Sequence, residues 1–367
     1  MTRNSLAIVL WAAILAMYAG RPWIDPALAL FALFLLACCW SIALTFGRAS
    51  LHWSFPMVPL ASAVAWAIAG PSNATLAVLI WAGNLVAFCL ASQVGRPLLG
   101  PLLGFASVLT VVSVLHPWGP FVNRDHYAAF IELVLPLALV EAFAGSLRFA
   151  VISAAMYASV IACASRAGAV LTTVEIAIVW MAAKPGFPRF SGGAMVGAPG
   201  SAAAPRTGRR TNTSTLSFSA LAAVFVLVAG WAPLWHRLQD PDPIGGRSAI
   251  LASTLAMVRA RPWTGFGLGA FRTVYPAYAS LDFGSVVEHA HNDWAEWAAD
   301  GGIPFSLMLL SIAVWTVRKL RRAPWAVGAL AVFVHALVDY PLHRPALELW
   351  LFALLGVLAA GPAANPD

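Results

Sequence analysis

Leu28-Ala29-Leu30-Phe31-Ala32-Leu33-Phe34-Leu35-Leu36-Ala37-Cys38-Cys39 contains no charge, no helix breaker and no alternation of polar with apolar positions. A strand of a membrane barrel must alternate lipid-facing apolar with lumen-facing polar residues. The run therefore excludes a β-barrel and reads as most of a membrane-spanning helix. Similar apolar stretches of about 15–22 residues recur along the chain, each able to cross a hydrocarbon core of roughly 30 Å. Between breakers they fall at 5–20, 26–46, 51–69, 74–92, 97–115, 127–144, 147–164, 167–183, 216–235, 303–317, 325–338 and 345–361. The expected fold is an all-α polytopic membrane protein of about twelve transmembrane helices, with one large extramembrane loop containing short helices. Composition agrees: of 367 residues, 60% are hydrophobic and 10% charged. A soluble domain is about half apolar and a quarter charged, so a solvated globular enzyme is excluded, and disorder with it.

Charge then orients the spans. The formal net charge is +7, which in a soluble protein would point to nucleic acid but here reports topology. Alternating the loops from Arg3 puts Arg48, Arg96, Arg148, the stretch Lys184 to Arg210 and Arg318-Lys319-Arg321-Arg322 on one side. The other side receives Arg but no Lys, mixed with most of the Asp and Glu. Cytoplasmic loops collect Lys and Arg, so both termini are expected in the cytosol. Met17-Tyr18-Ala19 is a poor cleavage site, and Met1 to Gly20 reads as the first span rather than a removed signal. Cys38, Cys39, Cys89 and Cys163 all lie in apolar stretches without metal or disulfide spacing, and read as small packing residues.

This divides the chain into N-terminal helices at 1–122, central helices at 123–183, a flexible basic cytoplasmic linker at 184–215, and C-terminal helices at 216–367 that include an outer loop at 236–302. Nearly every polar residue capable of chemistry lands on the outer side: Asn123, Arg124, Asp125, His126, Arg166, Arg247, Arg272, His289, His291, Asn292, Asp293, Asp339, His343 and Arg344. A transporter tends to place ionisable groups near the bilayer midplane. Here Glu132, Glu141, Glu175 and Glu348 fall in or near four different spans, so a reaction at the outer interface is favoured over a path across the bilayer.

Within the outer loop the pattern predicts a helix over Ala249 to Arg259, stopped by Pro262, and a second over Glu288 to Asp300 that ends at Gly301-Gly302. Gly265-Phe266-Gly267-Leu268-Gly269 lacks a preceding strand and a following Lys-Ser/Thr pair, so it reads as a backbone hinge rather than a phosphate loop. On a helix His289 and His291 would point apart, which argues against zinc. Read alone, His291 is an interfacial histidine and Arg166 a snorkelling cation. Guanidinium groups on an outer surface also suit bidentate phosphate binding. The outer aromatics Trp263, Tyr275, Tyr278, Trp294 and Trp297 suit either interfacial anchoring or stacking on sugars.

His289-Ala290-His291-Asn292-Asp293-Trp294, with nine residues between Asn292 and Gly302, resembles the signature of the O-antigen ligase and polymerase family of bacterial membrane glycosyltransferases. Supporting pieces occur in family order: Asn123 to Pro136, Ser165-Arg166-Ala167-Gly168, Gly246-Arg247, Pro262 to Phe271, and Val338-Asp339-Tyr340-Pro341-Leu342. They cover about the last two-thirds of the chain. One departure is Phe305, where the family often has a second glycine. The resemblance implies a type-C glycosyltransferase-like fold in the bacterial inner membrane, with the site on the periplasmic side. It implies a metal-independent, cofactor-free enzyme that moves a glycan from undecaprenyl pyrophosphate to an acceptor hydroxyl, such as that of a lipopolysaccharide core. A polymerase of exopolysaccharide or O-antigen is the alternative within the family, and a polysaccharide or lipid transporter the alternative outside it. The partners implied are the lipid-linked glycan, a lipid-linked or polysaccharide acceptor and the bilayer, with no nucleic acid. The catalytic residues carried over are His291 as base, with Arg166 and Arg247 on the pyrophosphate. Arg124, His126, His289, Asn292 and Arg272 are the expected substrate-binding residues, and no metal ligand is expected.

Overall fold

The computed structural model describes residues 54–70, 74–115, 121, 123–184, 208–240 and 245–360. The expected spans at 5–20 and 26–46, Cys38, Cys39 and most of the basic linker lie outside the described residues. Within them the chain is helical, without a strand. The helices are α1 (Met57–Ala69), α2 (Ala74–Val94), α3 (Leu99–Leu115), α4 (Arg124–Phe143), α5 (Leu147–Ala162), α6 (Arg166–Ala183), α7 (Gly208–Ala229), α8 (Ala232–Leu238), α9 (Arg247–Ala260), α10 (Phe271–Val274), α11 (Asp293–Lys319), α12 (Val327–His335) and α13 (Pro345–Ala359). By length and composition, α2, the stretch Arg96–Ser113, α4, α6 and α11 are able to cross a membrane, and α7 with α8 forms a sixth if that bent pair is one span. Helices α1, α5 and α13, and the stretch Pro324–His335, are shorter and apolar. The described residues are thus all-helical, with several helices long and apolar enough for a multi-pass membrane protein.

Helix α4 is the axis of the bundle, buried along nearly its whole length. Small residues let its neighbours approach closely, as they do in membrane interiors where apolar burial between helices drives nothing. A Cβ on Gly168 of α6 would strike Ala128 of α4, and one on Gly328 of α12 would strike the Glu132 carbonyl. Gly356 of α13 packs in the same way on the Phe88 carbonyl of α2. Cys89 and Cys163 are buried free thiols.

Three expectations change. The segment 184–215 is not linker throughout, because α7 reaches back to Gly208; after Pro205 no proline intervenes, and Arg209-Arg210 are good helix formers. The span expected at 216–235 stops at Ala229 and turns by 83° into α8. Gly230 there has φ +89, and Pro233 lies in the first turn of the new helix. The helix expected over Glu288 to Asp300 starts only at Asp293, because the Asn292 side chain caps it by accepting from Ala295 N–H at 2.9 Å. It does break at Gly302, where φ is +80, but then continues as the apolar half that ends at Lys319.

The break at Gly302 is clasped by the glycine-rich strip. Phe266 N–H donates to the Ala299 carbonyl, Gly267 N–H to that of Asp300, and Ile303 N–H to that of Pro262. A Cβ on Gly265 would collide with the Asp300 carbonyl, and one on Gly302 with that of Trp263. The strip is a docked seam rather than a free hinge. Phe305, the departure from the family pattern, is fully buried against Gly301 and meets Trp81 edge-on at 5.4 Å.

Candidate active site

Three helices start with an arginine: Arg124 opens α4, Arg166 opens α6 and Arg247 opens α9. Capping chemistry sets two of these starts. Asn123 accepts from Asp125 N–H at 2.9 Å, and Ser165 accepts from Gly168 N–H at 3.1 Å. The Ser165 hydroxyl also donates to Asp125 Oδ1 at 2.6 Å, which ties the start of α6 to that of α4. Arg166 Nη1 donates to the Arg237 carbonyl at 3.2 Å, and Arg237 Nη1 donates to the Ala164 carbonyl at 2.9 Å. The charges of Arg124, Arg166 and Arg247 all bear on Arg237. Four guanidinium groups and three positive helix ends therefore gather in one region, a ready setting for an anion.

Asp339 links this region to the histidine. It lies just after α12 and is 1% exposed. Its Oδ1 is 3.0 Å from His291 Nδ1 and 3.9 Å from Arg247 Nη2, while Arg247 Nη1 donates to the Val338 carbonyl at 2.9 Å. Burial by itself would push the Asp339 carboxyl up. The His291 hydrogen bond and the influence of His126, Arg247 and His335 outweigh burial and hold it at about 2. An ionised carboxylate only accepts, so His291 Nδ1 carries the proton of that bond. In the neutral imidazole Nε2 is then left with its lone pair. Asp125, His335 and Asp339 also place one ligand atom each within 4.8 Å of one another. His335 continues inward, its Nδ1 lying 2.8 Å from Glu132 Oε1 with both side chains fully buried.

His291 has φ +52, and Ala164 has φ +59; among the described residues these are the non-glycine positions with positive φ. Such backbone is uncommon and often marks functional sites, and both residues lie here. His289 and His291 are on extended chain rather than on a helix, contrary to expectation. They still diverge, because the left-handed residue turns the chain: His289 Nδ1 meets Glu296 Oε1 at 2.9 Å, whereas His291 meets Asp339. Tyr340 lies between them, stacked on His289 at 4.4 Å and edge-on to His291 at 4.8 Å.

The structure thus brings together His291, Arg247, Arg166 and Arg124 of the expected residues, with His126 buried edge-on to Tyr340 at 4.8 Å. Asn292 serves as helix cap and donates to the Leu337 carbonyl at 2.8 Å. Arg272 instead pairs with Glu288 at 3.4 Å on α10. Sequence reasoning did not single out Asp339, Tyr340 or Arg237 as site residues. For the first two the signal was present in Val338-Asp339-Tyr340-Pro341-Leu342; for Arg237 none was.

A second knot lies beside the first. His343 Nδ1 bonds Asp293 Oδ1 and its Nε2 is 3.3 Å from Glu296 Oε1, while Glu296 Oε2 accepts from Ala290 N–H at 2.6 Å. Burial alone would lower the His343 imidazole; Glu296, Asp293 and Asp300 outweigh it and raise it to about 10. His289, Glu296 and His343 have metal-like proximity, with ligand atoms within 4.8 Å. In the structure these atoms are engaged with one another.

The fold and site define a multi-pass helical membrane protein that assembles a carboxylate-oriented histidine beside clustered arginines. Residues 149–310 match the family model described as O-antigen ligase, so over this stretch the chain is similar to that family. The match takes in Arg166, Arg237, Arg247 and His291 and stops short of Asp339. No curated protein gives a significant match to the chain.

Proposed function

We propose that the protein is an O-antigen ligase-type glycosyltransferase, which moves a glycan from undecaprenyl pyrophosphate to an acceptor hydroxyl at the periplasmic face of the inner membrane. The observation that carries this is Asp339, which joins His291 to Arg247 beside Arg124, Arg166 and Arg237. Displacement at an anomeric carbon needs a base for the incoming hydroxyl and counter-charge for the departing diphosphate. Here the acceptor O–H proton passes to His291 Nε2. The acceptor oxygen forms the new bond to the anomeric carbon, and the bond from that carbon to the diphosphate oxygen breaks. The lipid diphosphate leaves with the electron pair, its added charge met by the guanidinium groups. Asp339 orients the imidazole and balances the imidazolium as it forms.

Reconstitution with lipid-linked glycan and acceptor tests this reading. Transfer with release of lipid diphosphate is expected for the wild type, and none for His291→Ala. Wild-type rates in His291→Ala, Arg166→Ala and Arg247→Ala would remove the assignment. A protein that moves the glycan across vesicles without product would be a transporter. Loss of all attached surface glycan in cells lacking the protein would mark a ligase, and chains of a single repeat a polymerase.

A further inference from the structure

Among the described residues, α2, the glycine-rich strip, α11 and the start of α13 line an open pocket of about 550 Å³ that the reaction above does not use. This is the size of a small-ligand pocket. Its walls are of two kinds: the aliphatic Leu76, Ala77, Ile80, Leu268, Leu342 and Pro345 with the indoles of Trp81 and Trp297 form an apolar surface, while Asp300, His343 and Glu348 are polar. Asp300 is 1% exposed. Its Oδ2 accepts from Gly269 N–H at 2.7 Å, but its Oδ1 is buried without a partner. Buried polar atoms are nearly always paired, so this oxygen calls for a hydrogen-bonding partner.

The wall chemistry selects the ligand. An acyl chain would leave the carboxylates unpaired in an apolar setting. An anion would meet Asp300 and Glu348, and the charge of His343 on the same wall is already taken up by Asp293 and Glu296. A neutral ring with hydroxyls at its edge and C–H groups on its faces matches both walls, since hydroxyls both donate to and accept from carboxyl groups and C–H faces pack on indoles. The guanidinium cluster already accommodates the donor's diphosphate. From the cavity, His343 leads through His289 and Tyr340 to His291, by ring contacts of 5.4, 4.4 and 4.8 Å. We propose that this cavity holds a neutral, hydroxyl-rich sugar ring of the acceptor glycan and presents the next ring toward His291. This rests on the transferase reading above.

The test uses full-length protein in lipid nanodiscs without maltoside detergent, whose headgroup is itself a sugar. Saturation-transfer NMR is recorded with maltotriose and methyl glycosides as neutral probes, and with hexylammonium and inorganic pyrophosphate as charged ones. Neutral probes are expected to receive saturation from the wild type and equally from His291→Ala. The cavity-filling Ala77→Phe is expected to reduce it about fivefold or more, with the isosteric Asp300→Asn acting in the same direction and guarding against misfolding. In the transfer assay Glu348→Gln should raise acceptor KM about tenfold and leave donor KM within about twofold. Equal saturation in wild type and Ala77→Phe overturns the proposal, as does binding of a charged probe alone or a shift in donor KM. Sugar binding that Ala77→Phe removes, together with failed transfer, would sink the transferase reading while the cavity assignment stands.

Discussion

Asp339→Asn isolates the link between the imidazole and the guanidinium cluster with little change in volume. Asp339 falls from an ordinary value of 3.8 to about 2, so its surroundings favour the charged form by about 2 kcal/mol net of burial. By the same coupling, the carboxylate favours positive charge around it, including the imidazolium formed in the transition state. Asparagine removes that charge, and it can turn an N–H₂ toward Nδ1, which selects the wrong tautomer. Loss of about 2 kcal/mol alone lowers the rate by about 30–60-fold; the tautomer error brings the expected fall in kcat to ~10²–10³. Donor KM should stay within about threefold, because Arg247 keeps its bond to the Val338 carbonyl. The assay is glycan transfer from lipid diphosphate, with kcat and KM measured separately for donor and acceptor. A variant within about threefold of the wild-type kcat would refute the orienting role.

Other substitutions address other parts of the structure. Arg166→Ala and Arg247→Ala should each lower transfer by ~10²–10³, measured in the same assay with membrane insertion checked by protease protection. Arg237→Ala should lower it as well, because it also releases the Ala164 carbonyl that shapes the start of α6; unchanged activity would separate Arg237 from the cluster. The His343 imidazole is raised from 6.5 to about 10, so the stability it contributes is complete below pH 6.5 and is lost as pH rises through 10. The melting temperature in nanodiscs should fall across that window, and His343→Gln should flatten the fall. Gly302→Ala places a Cβ against the Trp263 carbonyl at φ +80 and should cost about 1–3 kcal/mol, read as a lower melting temperature.

Much of the helical layout follows from local signals. Ten of the expected spans have a helical counterpart among the described residues, because an apolar backbone in lipid must satisfy its hydrogen bonds within its own segment. Asn123, Ser165 and Asn292 mark helix starts by side-chain capping, which acts over two or three residues and so is visible in the chain itself. The 83° turn at Gly230 and the helix start at Gly208 were harder to read, since a glycine permits a turn without requiring one.

Residue types and the order of the apolar runs determined that the chain is helical and multi-pass, and the resemblance to the O-antigen ligase family singled out His291, Arg166 and Arg247. Only the tertiary structure decided which groups act on one another. His291 and Asp339 are 48 residues apart, Arg247 and Val338 are 91, and Glu132 and His335 are 203. Periodicity reports which face of a helix is apolar, but not which distant carboxylate meets an imidazole across a loop. That choice comes from close packing around α4 and from the left-handed turn at His291, where the backbone direction depends on contacts made by the whole bundle.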